Sequence, residues 1–341
     1  MKTKLSVLSL AALAFASTAT AQSDRKGTAG AEYLLVPMTA KTTSLGVGMT
    51  AGMQNISGIE MLMSNPAGLA VNAGTNVLFS RMNYVADIGV NYLGVAQNFG
   101  QNNVALSLQS WDFGEIESAT EEQPLGAATY TATYTVAGLS FARQFTDRIA
   151  AGTTVKLLNE RIDDSNASGL ALDAGMTYTV GESGLRFGVS LKNFGPQMSY
   201  GGNGLVRLER LSDQDGNSTA NAVRLDGANY ELPSLLNFGV SYQRSLGTSA
   251  SVTAIGNFRS NSFSEDQYSA GLELGFRNIV YARGGYQFEQ DMQDGSFFNG
   301  ANFGAGLNLD VNGSMLGVDY AYRPVSYFGN GVQMVTATVT F

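Results

Sequence analysis

The sequence predicts an all-β fold: a 14-stranded antiparallel transmembrane β-barrel with an N-terminal plug segment. Three observations carry this reading. From about residue 75 to 341, apolar and small polar residues alternate with a period of two, which sends one set to each face of a sheet. Clusters of Gly, Asn, Asp and Ser cut this stretch into fourteen segments, several of them about ten residues or longer, the length a tilted strand needs to cross a bilayer. The connections between them alternate between short and long, as in outer-membrane barrels.

The chain begins with an export signal. Lys2 and Lys4 precede an apolar run from Leu5 to Ala16, and Ala19-Thr20-Ala21 forms an A-x-A cleavage site before Gln22. The run is too short for a membrane anchor, which needs about 20 apolar residues. Residues 1–21 are therefore read as a signal peptide, whose removal takes the net charge from −8 to −10 through the loss of two lysines. No later stretch is apolar enough for a transmembrane helix, so a membrane-embedded chain would have to be a barrel.

Residues 22–74 do not alternate. Gln22 to Gly30 is polar and small and reads as a periplasmic tail. Leu45 to Leu69 mixes Gly, Met and short apolar pieces such as Ile59-Glu60-Met61-Leu62-Met63, too apolar to stay solvated. Met49 to Leu69 is expected inside or directly beneath the barrel, as a plug or as a short helical cap. Pro66 and Gly68 suit a bend there.

The barrel strands are expected near 76–84, 88–98, 103–116, 129–145, 148–161, 167–180, 184–194, 235–245, 249–259, 266–276, 279–289, 300–310, 313–323 and 332–341. Leu235 to Arg244 shows the pattern, with Leu236, Phe238, Val240 and Tyr242 opposing Asn237, Gly239, Ser241 and Gln243. Short turns are expected at Thr146-Asp147, Gly181 to Ser183, Gly247-Thr248 and Asn278. Longer loops are expected at 117–128, 195–234, 290–299 and 324–331. Aromatics near strand ends fit interfacial girdles. Phe341, ending an alternating last strand, resembles the assembly signal of outer-membrane barrels.

Composition narrows the function. Charged residues are 14%, against about 25% in soluble proteins. Gly is 41 of 341, about 12% against a usual ~7%. The absence of Cys removes disulfides and thiolate chemistry, and the absence of His removes the commonest general base and zinc ligand. No enzyme, metal or cofactor is expected. The acidic balance argues against nucleic acid as a partner. Asp213-Gln214-Asp215-Gly216-Asn217 starts like a calcium loop, but Arg224 stands where the bidentate Glu is required, so a turn-rich outer loop is the better reading. The inward face offers Lys156, Asp173, Arg186, Lys192, Arg259, Glu273, Arg283, Asp319 and Arg323. These could line a conduit; ion pairing within the barrel is the reading preferred here.

Three pieces of the N-terminal region carry a family resemblance: Gly27 to Pro37 (GTAGAEYLLVP), Thr43-Ser44-Leu45-Gly46, and Ser64-Asn65-Pro66-Ala67-Gly68-Leu69-Ala70. In this order they resemble the N-terminal region of the PorV/PorQ family, outer-membrane barrels of the type IX secretion system and relatives of the FadL-type transporters. Family members often carry an aromatic before the Asn, where this chain has Met63 and Ser64. The resemblance implies a fourteen-stranded barrel with Asn65, Pro66, Ala67 and Gly68 as a plug motif. It also implies a non-enzymatic role in the outer membrane of a Gram-negative bacterium, surrounded by lipid. There the barrel would receive the C-terminal signal domain of a secreted cargo on loop 195–234 and pass it to surface-attachment proteins of the secretion system. The alternative, from the FadL relatives, is transport of hydrophobic small molecules.

Overall fold

The computed structural model describes residues 28–53, 56, 58–118, 128–209, 221–289, 300–325 and 328–341. The expected signal peptide, residues 22–27 and the run from Asp213 to Asn217 lie outside the described residues. Fourteen long strands follow in chain order: β1 (Thr75–Asn83), β2 (Gly89–Phe99), β3 (Asn102–Ser118), β4 (Ala128–Gln144), β5 (Ile149–Ile162), β6 (Ser165–Thr179), β7 (Leu185–Phe194), β8 (Leu235–Leu246), β9 (Ala250–Asn261), β10 (Gln267–Phe276), β11 (Val280–Glu289), β12 (Gly300–Val311), β13 (Ser314–Val325) and β14 (Phe328–Thr340). Each pairs antiparallel with its neighbours in sequence. β1 also pairs with β14, from Asn76 opposite Thr340 to Asn83 opposite Gln333, so the sheet closes and leaves no edge.

The alternation sorts residues as the period of two requires. In β10, Glu273 is buried while Leu272 and Leu274 on either side are each 56% exposed. Leu106, Leu157, Phe303 and Val335 are likewise exposed on their strands. Large apolar side chains facing outward around a closed sheet belong in hydrocarbon, and this is an outer-membrane type of barrel. No helix among the described residues is long and apolar enough to cross a membrane.

Aromatics gather at both rims. Phe99, Phe145, Phe276 and Phe341 are exposed at the short-turn rim. Near the other rim Phe238, Phe258, Tyr268 and Phe288 form a cross-strand ladder with ring centroids 5.1–6.4 Å apart. Phe341 extends the closing seam, its backbone bonded to Thr75 at 2.9 and 3.3 Å.

One connection is shorter than its sequence suggests. The loop expected at 324–331 is largely strand, because β13 reaches Val325 and β14 starts at Phe328, with those two residues opposite each other. A register shift between Arg323 and Val325 takes up Pro324, which has no N–H to give the ladder.

The N-terminal segment runs through the bore from one rim to the other. Residues 28–36 sit at the long-connection rim, where Gly30 N–H donates to the Glu231 carbonyl at 3.0 Å. The chain then passes through a short helix, α1 (Ala40–Ser44), a second, α2 (Gly58–Met61), and a 3-10 turn (Pro66–Val71), and enters β1 at the opposite rim. The tail expected on the short-turn side is therefore, over residues 28–30, at the other end. The Glu231 bond and a bridge from Ala29 to the same residue hold it there.

Part of the high glycine content has its cause in this threading. The segment's backbone lies directly against inward-facing glycines of the wall. A Cβ on Gly239 would stand 2.7 Å from Ala51 N, one on Gly271 2.7 Å from Leu45 O, and one on Gly152 2.9 Å from Ala67 N. Gly175, Gly188, Gly285 and Gly304 make similar close approaches to Asn65, Thr50, Gly46 and Ser44. A side chain at these places would occupy the segment's own path.

Candidate functional site

Two features of the interior could serve a function: the docking of the N-terminal segment in the bore, and a cavity at the long-connection rim. The docking joins apolar burial, with Leu45, Met49, Ile59 and Leu69 fully covered, to specific polar bonds. Ala40 N–H donates to Thr336 Oγ1 at 2.9 Å, Ser190 Oγ to the Ser64 carbonyl at 2.9 Å and Ser241 Oγ to the Gly52 carbonyl at 2.6 Å. Asn65 makes the densest set of bonds. Its amide nitrogen donates to the carbonyls of Thr50, Met176 and Val189 at 2.8, 3.2 and 3.3 Å, and its Oδ1 accepts from Ala67 N–H at 3.0 Å. Asn65 thus caps the 3-10 turn and ties it to β6 and β7, with Pro66 at the first position, where its missing N–H costs nothing. Gly68 is required by contact, since a Cβ there would meet the Met61 side chain.

The inward charges fall into groups. Arg283 bonds Glu273 and Asp319, each at 2.5 Å, across β10, β11 and β13. Lys41 of the segment reaches Glu60 at 2.9 Å and Asp319 at 3.9 Å, joining this wall cluster to the segment. Burial lowers the Lys41 pKa, but Glu60 and Asp319 outweigh it, so Lys41 is held above the usual lysine value.

Lys156 pairs with Asp173 at 2.5 Å and donates to Asn193 Oδ1 at 2.8 Å. Asp173 also accepts Asn193 N–H at 2.8 Å, beside the register shift that β6 makes against β7. Arg186 and Lys192 are placed differently. Arg186 donates to the Met53 carbonyl at 3.1 Å and Lys192 to the Met63 carbonyl. Arg259 bonds Asn237 at 3.2 Å and Gln267 at 3.1 Å. The inward charges therefore serve pairing and segment docking and do not form an open charged lining.

At the long-connection rim a cavity of about 440 Å³ opens between the segment and the wall. Gly30, Tyr33 and Val36 of the segment form one side. Trp111 and Phe113 of β3 and Tyr134 of β4 form another, with Tyr33 5.1 Å from Tyr134 and 6.0 Å from Trp111 between ring centroids. Tyr200 and Tyr230, from the 195–234 connection, line a third side. That connection folds inward at its base, with Met198 and Leu232 each 2% exposed.

One carboxylate lies among these rings. Glu160, on β5 and 3% exposed, accepts from Tyr200 OH at 2.5 Å and Tyr230 OH at 2.9 Å, both on Oε2. Its Oε1 is buried without a hydrogen-bond partner. Burial first, and Glu160 second, push the hydroxyls of Tyr33, Tyr200 and Tyr230 above the ordinary tyrosine value. Sequence reasoning passes over Glu160 and Lys41. The period of two does place Glu160 on the same face as Lys156, four residues earlier, and that was the available signal. Lys41 lies in a segment without periodicity and offered none.

No family model matches the chain, and no curated protein matches it. Solved structures do. The chain is similar to the toluene transporter TodX of Pseudomonas putida, at 14% identity over 88% of this chain and 96% of that one, with a TM-score of 0.52. It is similar to a FadL homologue of Pseudomonas aeruginosa at 10% identity over 89% and 98%, with a TM-score of 0.53. The monoaromatic hydrocarbon channel CymD gives 11% identity over 90% and 97%, with a TM-score of 0.52. At these identities the likeness is one of fold: a closed fourteen-stranded outer-membrane barrel of FadL type, preceded by a short helical segment.

Proposed function

We propose that the protein is a non-enzymatic outer-membrane channel for hydrophobic small molecules, entered at the aromatic cavity and closed by the segment in its bore. The observation that carries this reading is the cavity itself. Its volume lies in the range of small-molecule sites, its lining is mostly aromatic, and it opens at the rim of the long connections. One of its sides belongs to the same segment that docks in the bore, so an occupant touches the element that closes the barrel. The FadL-type fold supports the reading, since proteins of that fold named above are described as a toluene transporter and a hydrocarbon channel.

The test is uptake of radiolabelled toluene by cells carrying the full-length protein in their outer membrane. Entry should be faster than in cells without it and slower when Val36→Trp fills the cavity. Equal rates in all three would overturn the channel.

A role in type IX secretion, with PorV/PorQ membership, is the finer alternative from the N-terminal resemblance. The motif Asn65 to Gly68 does not by itself favour it, because contacts with the wall and within the segment already give its residues a structural role. Co-purification of cargo C-terminal domains with a protein that leaves toluene uptake unchanged would shift the assignment to secretion.

A further inference from the structure

The cavity is apolar enough for a hydrocarbon, yet a hydrocarbon would leave its one deep carboxylate unanswered. Glu160 is almost fully buried, and its Oε1 has no partner. Among the described lining residues there is no Lys or Arg, while a second carboxylate, Glu32, stands at the edge. Every inward carboxylate considered above in the bore (Glu60, Asp173, Glu273 and Asp319) lies within 4.0 Å of a cationic nitrogen. Glu160 instead faces ring systems, with Tyr33, Tyr134, Tyr200, Tyr230 and Trp111 lining the same cavity. The ring faces carry negative potential and attract cations, most strongly where water is excluded. A buried carboxylate left unpaired is costly, and a cation brought in by a ligand would lower that cost.

We propose that the outer cavity binds a small organic ammonium ion, a ligand with a quaternary or protonated amine, with Glu160 as counter-charge and the surrounding rings as its cage. The inference rests on the cavity that the channel reading uses as its mouth, and it adds the chemistry of the occupant. Two hydroxyl donors hold Oε2, and Oε1, which has the Tyr33 hydroxyl near the same carboxylate but no bond within hydrogen-bond distance, is left to the ligand. A metal ion would want more oxygen ligands than this site has, and no group of three or more acidic side chains that could hold one exists among the described residues.

The chain carries its own reporter, because Trp111 is its single tryptophan and lines the cavity. The experiment uses the full-length protein in a neutral maltoside detergent and follows Trp111 fluorescence. The probes are phenyltrimethylammonium and tert-butylbenzene, which share shape and differ in charge. The cation should bind about ten-fold more tightly than its neutral isostere. In Glu160→Gln the two affinities should converge. Equal or tighter binding of tert-butylbenzene by the parent would overturn the cation inference and leave the channel reading standing. If neither probe perturbs Trp111, the cavity takes no such ligand and both readings lose their entry site. Should Glu160→Gln not assemble, competition in the parent decides: tetramethylammonium chloride should displace phenyltrimethylammonium at concentrations where sodium chloride of equal ionic strength does not, and equal displacement by the two salts would overturn the inference.

Discussion

Replacing Gly271 by Ala should undock the N-terminal segment while leaving the barrel intact. Gly271 sits mid-strand in β10 on the inward face, and the atoms that a new Cβ would meet belong to the segment: Leu45 O at 2.7 Å, with Leu45 C and Cα at 3.2 Å. All three are backbone, so no side-chain rotation relieves them. Gly239→Ala makes the same test against Ala51 N at 2.7 Å and Thr50 Cβ at 2.8 Å. Gly256 is the control, since a Cβ there meets only Val240 Cγ1, at 3.4 Å. Overpacking of this kind costs about 1–3 kcal/mol. Ala for Gly in an unobstructed strand should instead gain roughly 0.5–1 kcal/mol. The inward and control substitutions thus carry opposite signs. At 1.4 kcal/mol per factor of ten, about 3 kcal/mol raises the undocked population about a hundred-fold. Heat-modifiable gel mobility reports the barrel, and single-channel conductance in a planar bilayer reports the bore. Gly271→Ala and Gly239→Ala should keep the folded band and conduct more than the parent and Gly256→Ala. Conductance identical across all four proteins would refute the idea that wall glycines seat the segment.

Deleting residues 46–70 should give the same outcome in stronger form, an open barrel or failed assembly, and a deletion variant as impermeable to small solutes as the parent would show that the segment does not close the bore. Val240→Arg and Leu272→Arg, on exposed apolar positions, should each cost about 2–4 kcal/mol near the bilayer midplane, read as loss of heat-resistant barrel in a urea titration. Because Lys41 is held above the usual lysine value, its contribution to docking should be complete below pH about 10.4 and fade only as pH rises through the higher folded value. A conductance rise between pH 7 and 9 would contradict that assignment. With neither His nor Cys in the chain, the purified protein should hydrolyse esters and phospholipids no faster than a denatured control.

The barrel was legible because its physics is periodic. A strand that faces lipid on one side and protein on the other must alternate, and Leu272, Glu273 and Leu274 state their facing without any knowledge of their neighbours. The expected loop at 324–331 went wrong where that periodicity is broken by Pro324, since a bulge and a loop read alike in sequence. The interior was harder to read, because what decides it is distant in the chain. The small polar face of the strands is consistent with a water-filled lumen. Here it is a seat for backbone, with Gly271 matched to Leu45 and Gly239 to Ala51, and nothing local to a strand records which segment will lie against it.

The same distinction separates the charges that sequence singled out from the one it passed over. Lys156, Glu273, Arg283 and Asp319 stand out as charges on an inward face, and in the structure they are neutralised in pairs or in a cluster. Glu160 follows the same facing rule, but its surroundings come from four separate pieces of chain: Tyr33 before the barrel, Trp111 and Tyr134 in the wall, and Tyr200 and Tyr230 in the longest connection. Paired charges in a bore contribute to structure, because removing either partner leaves the other buried and uncompensated. A carboxylate held by two tyrosine hydroxyls with one oxygen unsatisfied is another matter. No cation in the described bore pairs with it, and the ammonium ligand proposed above would supply that compensation.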